Sequence, residues 1–145
     1  MGSINPAIEP KEVLKIVVDC EPVSKARSRT VYRNGKVWNF TPKKTKNAEE
    51  LLRLTLKEKN IQPFPPEIPL KLTVTFYRVK NHNVKKGVVK PVIRPDLDNY
   101  LKLVSDSLMP EVIHDDAQIT TLVAMKRWSD KPTGSIEFTL EADNG

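Results

Sequence analysis

Four stretches of this chain alternate apolar with polar residues, and that alternation limits the folds open to it more than any other feature. Leu14, Ile16, Val18 and Cys20 alternate with Lys15, Val17 and Asp19. Leu70, Leu72, Val74 and Phe76 alternate with Lys71, Thr73, Thr75 and Tyr77. Ile119, Thr121, Val123 and Met125 repeat the pattern, and Ile136, Phe138 and Leu140 follow it against Ser135, Glu137, Thr139 and Glu141. A period of two places the apolar residues of a strand on one face, so each stretch is a strand with one side to bury. The partners that cover those sides have helical spacing. Thr41-Pro42 supplies an N-cap and a first helical residue ahead of Ala48, Leu51, Leu52, Thr55 and Leu56, with Asn60 and the Pro63 to Pro66 stretch as the stop. Leu97, Leu101, Val104 and Leu108 form a second stripe, in a helix from about Leu97 to Met109 that Pro110 ends. Asn34-Gly35, central to the stretch from Thr30 to Phe40, predicts a hairpin because both residues tolerate positive φ. The order is strand, hairpin, helix, strand, helix, strand, strand. It predicts an α+β fold: a mixed β-sheet with a β-hairpin and two α-helices packed on one face, in a single domain.

A chain of 145 residues is long enough for one sizeable core and too short for two. Residues 1–12 read as a flexible N-terminal segment and 13–145 as the domain. The polar, basic stretch from Lys80 to Val92 has no periodicity and reads as a loop. The single cysteine, Cys20, ends a strand pattern and suits a buried thiol in a reducing compartment. No apolar run approaches the roughly 20 residues of a membrane helix, and no signal peptide is visible. The expectation is a cytoplasmic protein with no membrane partner.

Charge is distributed unevenly. The chain carries a net charge of +6, yet residues 95–116 hold six acids (Asp96, Asp98, Asp106, Glu111, Asp115, Asp116) against the one base Lys102. That window carries −5 and the remainder +11. Two other windows hold bases and no acid. Residues 25–46 contain Lys25, Arg27, Arg29, Arg33, Lys36, Lys43, Lys44 and Lys46; residues 78–94 contain Arg78, Lys80, Lys85, Lys86, Lys90 and Arg94. Like charges held together in a fold repel, and an anionic partner relieves that repulsion. The basic windows therefore point to a phosphate backbone, with Tyr32, Trp38 and Phe40 interspersed as stacking candidates. Neither window offers a base-reading helix, so shape rather than sequence is the expected target.

Bare carboxylates beside a polyanion are repulsive unless a cation lies between. Each acid has an ordinary use taken singly: Asp96 as a helix cap, Asp98 and Asp106 as partners of Lys102 four residues away, Asp115-Asp116 as a turn. Together they predict a divalent-metal site. Hard oxygen donors without sulfur favour Mg²⁺, with Mn²⁺ as the substitute. If the helix at 97–109 joins neighbouring strands, the loops bearing Asp96 and Asp115-Asp116 are expected to converge at one end of the sheet.

Several segments together carry a resemblance. Pro22-Val-Ser-Lys25-Ala-Arg27-Ser-Arg29, Thr41-Pro42 with Thr45, Pro95-Asp96-Leu-Asp98-Asn99 with Lys102, Asp106-Ser-Leu108, and Asp115-Asp116-Ala-Gln118-Ile119 closely resemble the RusA family of Holliday junction resolvases, over about residues 13–141. The resemblance implies a homodimeric, Mg²⁺-dependent endonuclease that makes paired symmetric nicks in four-way DNA junctions. It implies Asp96, Asp98 and Asp116 as metal-binding catalytic carboxylates and Lys102 as the catalytic lysine. Asp115 and Asp106 match acidic positions, Asp115 as a further metal ligand. Lys25, Arg27 and Arg29 are similar to the family's basic N-terminal motif, and with Lys43, Lys44, Lys46, Lys85, Lys86 and Arg94 they form the expected DNA-binding set. Bound to DNA, such a protein would associate with the nucleoid. One departure is the turn after the helix, Met109-Pro110-Glu111, where family members often carry Asn-Gly. Two rival readings remain at this point: a non-catalytic junction-binding or architectural protein, and a nuclease for other branched DNA.

Overall fold

The computed structural model describes residues 13–23, 29–40, 43–80, 84 and 87–144, and of the hairpin strands the backbone alone. Strand β1 (Val13–Val18) is followed by the hairpin β2 (Arg29–Arg33) and β3 (Lys36–Phe40), helix α1 (Lys43–Glu58), strand β4 (Leu70–Arg78), helix α2 (Leu97–Leu108), and strands β5 (Ile119–Trp128) and β6 (Ser135–Ala142). The α+β order is the one that the alternation predicts. Residues 1–12 and the Thr41-Pro42 cap lie outside the described residues.

Four strands form one mixed sheet in the order β1-β6-β4-β5. β6 runs antiparallel to both β1 and β4, whereas β5 runs parallel to β4. The parallel pair follows from the connection: β4 and β5 are joined through α2, and a crossover helix returns the chain to the end of the sheet at which β4 began. One face of the sheet is sealed. Ile16 and Val18 from β1, Leu70 to Phe76 at alternate positions of β4, and Ile136, Phe138 and Leu140 from β6 are buried, and the helices add Ala48, Leu52, Leu56, Leu103, Val104 and Leu108. Asn34 and Gly35 sit at φ 52° and 73°, the two positive values that a two-residue hairpin turn demands. Asn60, at φ 49°, ends α1 through its N–H bond to the Lys57 carbonyl.

Two stripes are rotated from their predicted positions. On α1 the buried line is Thr45, Ala48, Leu52 and Leu56, while Leu51 points to solvent. On α2 the buried face is broader than Leu97-Leu101-Val104-Leu108: Tyr100, Leu103 and Ser107 are also buried, and Leu97 and Leu101 are only partly so. The cause is α1, which packs beside α2 and closes a flank that a helix lying alone on a sheet would leave wet. Tyr100 fills the angle, stacked on Phe76 with ring centroids 5.1 Å apart. Cys20 lies just beyond β1, half-buried, with its thiol pKa pushed up first by burial and then by Glu21 and Asp19, so it is a poor nucleophile.

Arg53 locks the two helices together. Its guanidinium donates to the Asp106 carbonyl at 2.9 Å and the Met109 carbonyl at 3.1 Å, two acceptors left open at the end of α2. Arg53→Ala is expected to lower stability by about 2 kcal/mol, read as a shift in the urea midpoint, because a charge-assisted pair of bonds to a helix terminus is lost. No described helix is long and apolar enough to cross a membrane.

Candidate active site

Helix α2 carries Asp98 and Asp106 and has Asp96 as its cap, so it sets where these three stand. Asp96 is its N-cap, in extended backbone (φ −69°, ψ 154°), and its carboxylate makes no capping bond. The carboxylate that a helix start would ordinarily use for itself is left available. Asp98 stands exposed in the first turn, where the helix dipole favours negative charge. The chain leading to this end is pinned from below. Lys126 Nζ donates to the Ile93 carbonyl at 3.0 Å and the Pro95 carbonyl at 3.3 Å. Arg78 donates to the Arg94 carbonyl at 3.1 Å and the Tyr100 hydroxyl at 2.7 Å, and pairs with Glu21 at 3.1 Å. These cations are structural: they hold backbone rather than face solvent.

One turn on from Asp98, Lys102 projects outward with 63% of its side chain exposed, and reaches Asp106 at 3.9 Å. A contact that long in water is weak, and the ammonium keeps its freedom to meet another anion. Beyond the C-terminal end of α2 the chain turns through Met109, whose sulfur accepts the Asp116 N–H at 3.2 Å. Asp115 then caps a single 3-10 turn, Asp116–Gln118, its Oδ1 accepting from Ala117 N–H at 3.1 Å. The two adjacent carboxyls are also hydrogen-bonded to one another. Asp115 is held below the usual carboxylate range, first by the Ala117 N–H and then by that bond to Asp116. Asp116 is pushed up, first by the bond to Asp115, then by desolvation and the charges of Asp115 and Asp106, with Lys102 pulling the other way. Two adjacent carboxyls that shift one another in opposite directions are a crowded pair.

The predicted residues therefore fall into two groups. Lys102, Asp106, Asp115 and Asp116 feel one another at the C-terminal half of α2. Asp96 and Asp98 stand at its N-terminal end. Asp98 and Asp106 are eight residues apart, which is about 12 Å along a helix. Among the described residues, no three His, Cys, Asp or Glu side chains stand close enough to surround one ion. The expected convergence of the two acidic loops at one end of the sheet is thus overturned, although α2 does connect neighbouring strands. The reason is the parallel register of β4 and β5: a parallel crossover leaves one end of the sheet and re-enters at the other. Asp96 and Asp98 stand at one end of α2, and Asp115 and Asp116 come after the other.

Of the predicted DNA-binding residues, Lys43, Lys44 and Lys46 are exposed at the start of α1, and Arg94 is exposed just ahead of Asp96. Arg29 opens β2, opposite Phe40. Lys25, Arg27, Lys85 and Lys86 lie outside the described residues. Sequence reasoning passed over Arg53 and Lys126, counted Arg78 only among the bases facing a phosphate backbone, and gave Gln118 no role of its own, yet all four hold the acid-bearing segments in place. The signal that could have found Gln118 was its position three residues after Asp115, the spacing of a capping box.

Carboxylates gathered on and around one helix of a basic α+β domain are the feature to set beside known proteins. The family model described as Endodeoxyribonuclease RusA matches residues 19–139. The chain belongs to the RusA endodeoxyribonuclease family, and so to the hydrolases that cut DNA. It is 30% identical over 130 residues to the uncharacterized protein YqaN of Bacillus subtilis (strain 168), covering 83% of this chain and 92% of that protein. It is 34% identical over 102 residues to the crossover junction endodeoxyribonuclease rusA of Lactococcus phage r1t, covering 69% of this chain and 76% of the phage protein.

Proposed function

We propose that this protein resolves four-way DNA junctions in the cytoplasm, as a homodimer that requires Mg²⁺ or Mn²⁺ and places paired symmetric nicks. The observation that carries this reading is the set of acids on and around α2, ending in the adjacent Asp115-Asp116 pair, inside a chain that is otherwise +11. Asp96, Asp98 and Asp116, with Asp115, would hold the cation. When bound, the cation supplies Lewis-acid polarisation of the phosphoryl group and acidifies water. Lys102 brings a mobile positive charge to the phosphoryl oxygens, whose charge grows in the transition state. The exposed Lys43, Lys44, Lys46 and Arg94, with Lys25, Arg27, Arg29, Lys85 and Lys86, would grip the junction arms.

A second copy supplies what one copy lacks. Strand β5 has β4 as its one neighbour in the sheet among the described residues, so its other edge carries unpaired backbone groups. Leu122 and Val123, at the middle of this ten-residue strand, are 45% and 40% exposed. Antiparallel pairing of two β5 edges about a two-fold axis would cover both residues and run the two α2 helices in opposite directions. The Asp96-Asp98 end of one helix would then lie on the same side as Asp116 of the partner subunit. Each dimer would hold two such composite sites, one for each of two opposing strands.

The deciding experiment offers the protein a labelled four-way junction, a fork, a linear duplex and a single strand, in Mg²⁺ and in EDTA. The expected result is paired nicks in the junction alone and in Mg²⁺ alone, with binding retained in EDTA and weakening steeply as salt rises. Equal cutting of the fork would make the protein a nuclease for branched DNA in general. Junction binding with no nicks in any divalent metal would make it an architectural protein.

A further inference from the structure

Gln118 is buried, with 8% of its surface exposed, and its side-chain amide uses all four of its hydrogen-bonding positions. Its side-chain oxygen accepts the His114 N–H at 2.8 Å and the Asp115 N–H at 3.3 Å. Its side-chain nitrogen donates to the Pro65 carbonyl at 2.9 Å and the Ile68 carbonyl at 3.2 Å. Its backbone N–H bonds the Asp115 carbonyl at 3.0 Å. One amide thus spans two segments some fifty residues apart in sequence: the connection from α1 to β4, and the turn that presents Asp115 and Asp116. A further bond, from Phe64 N–H to the Val112 carbonyl at 2.9 Å, seats the same connection against the same turn.

We infer that Gln118 is a positioning residue, which holds the Asp115-Asp116 pair in its cation-ligating arrangement by bracing it against the Pro65 to Ile68 turn. The inference rests on the reading that this pair ligates the cation. Exposed carboxylates on a short turn would otherwise move independently, and mutual repulsion would drive them apart when both are ionised. Gln118 removes that freedom on the side away from solvent: the peptide groups before and within Asp115 are fixed by the amide oxygen, and the amide oxygen is fixed by the two bonds of the amide nitrogen. Neither half suffices, because an acceptor without an anchored donor would swing with the loop. This is the outer shell of a metal site, built from one neutral side chain rather than from a second charge, and removal of such a partner typically costs tenfold to a hundredfold in metal affinity.

The test compares wild type, Asp116→Asn, Gln118→Met and Gln118→Glu in full-length protein. Three quantities are read: thermal unfolding without metal, amide hydrogen exchange at His114 and Asp115 without metal, and Mn²⁺ affinity by calorimetry. Junction binding in EDTA serves as a control for the DNA-binding surface. Gln118→Met keeps the length and apolar stem and loses all four side-chain bonds. It is expected to speed exchange at both amides and to weaken Mn²⁺ binding by about tenfold to a hundredfold, with junction binding in EDTA within about twofold of wild type. Gln118→Glu keeps the acceptor and sets an oxygen against the Pro65 and Ile68 carbonyls, so it is expected to fall short of wild type in Mn²⁺ affinity even if Gln118→Met does not fold. A Mn²⁺ affinity equal to wild type in either folded variant overturns the inference and leaves Gln118 a purely structural residue. Wild type that binds no Mn²⁺, or Asp116→Asn that binds it as wild type does, overturns the underlying assignment of the pair instead.

Discussion

A mixture of Asp98→Asn and Asp116→Asn proteins is expected to nick a four-way junction that neither variant nicks alone. Alone, each loses one of the carboxylates on which every site depends. Its cleavage should fall by at least about three decades, since a bound cation contributes several kcal/mol to the transition state and each ~1.4 kcal/mol is tenfold in rate. Junction binding in EDTA should be unchanged or tighter in both, because a negative group beside phosphate has been removed. When the two variants form a mixed dimer, one composite site carries both substitutions and the other carries neither. With random subunit exchange half of the dimers are mixed, each with one site of two, so about a quarter of the wild-type nicking rate should return, as single nicks rather than paired ones. In the reciprocal mixture, wild type with the Asp98→Asn/Asp116→Asn double variant, mixed dimers have no intact site, so the wild-type homodimers alone nick, about a quarter of all dimers after random exchange, and their nicks stay paired. About half of the wild-type rate in that mixture, and none in the first, would place the whole acid set within one subunit and sink the composite site.

The second large effect concerns the core. Phe76→Ala is expected to destabilise the protein by about 3–5 kcal/mol, visible as a large fall in the urea midpoint. Phe76 is fully buried on β4, between β5 and β6, and stacks on Tyr100 from α2. Its removal leaves a cavity where sheet and helix meet, and rigid strands on either side limit collapse. The loss should spread toward Asp96, because the Tyr100 hydroxyl accepts from the Arg78 guanidinium that also holds the Arg94 carbonyl. Leu54→Ala is the control. Leu54 is 56% exposed on α1, and its truncation should change stability by no more than about 0.5 kcal/mol.

Legibility in the sequence followed the range of the interaction. The β4 alternation is read without ambiguity because a strand's two faces differ in burial, and the structure buries Leu70, Leu72, Val74 and Phe76 while leaving Lys71, Thr73 and Thr75 partly open. Asn34-Gly35 is legible for the same reason: a turn is decided by two residues' own φ preferences. The stripe on α2 is read only in part, since Tyr100 is buried by an aromatic partner on another element. Arg53 was invisible as an organiser because its partners lie more than fifty residues away in the chain, and of Gln118 only the capping-box half was legible, since no local pattern announces its bonds to the distant Pro65 and Ile68 carbonyls.

What the chain's own order of residues determined is therefore the set of elements, the chemistry of the acids and the separation of acidic from basic windows. Each depends on neighbours within a turn or a strand. The placement of the acids was decided by tertiary structure alone. Spacing put Asp98, Lys102 and Asp106 on one ridge, but it took the parallel pairing of β4 with β5 to send Asp96 and Asp116 to opposite ends of the sheet. Strand direction is set by which edges pair across the whole sheet, and that is a property no single segment carries.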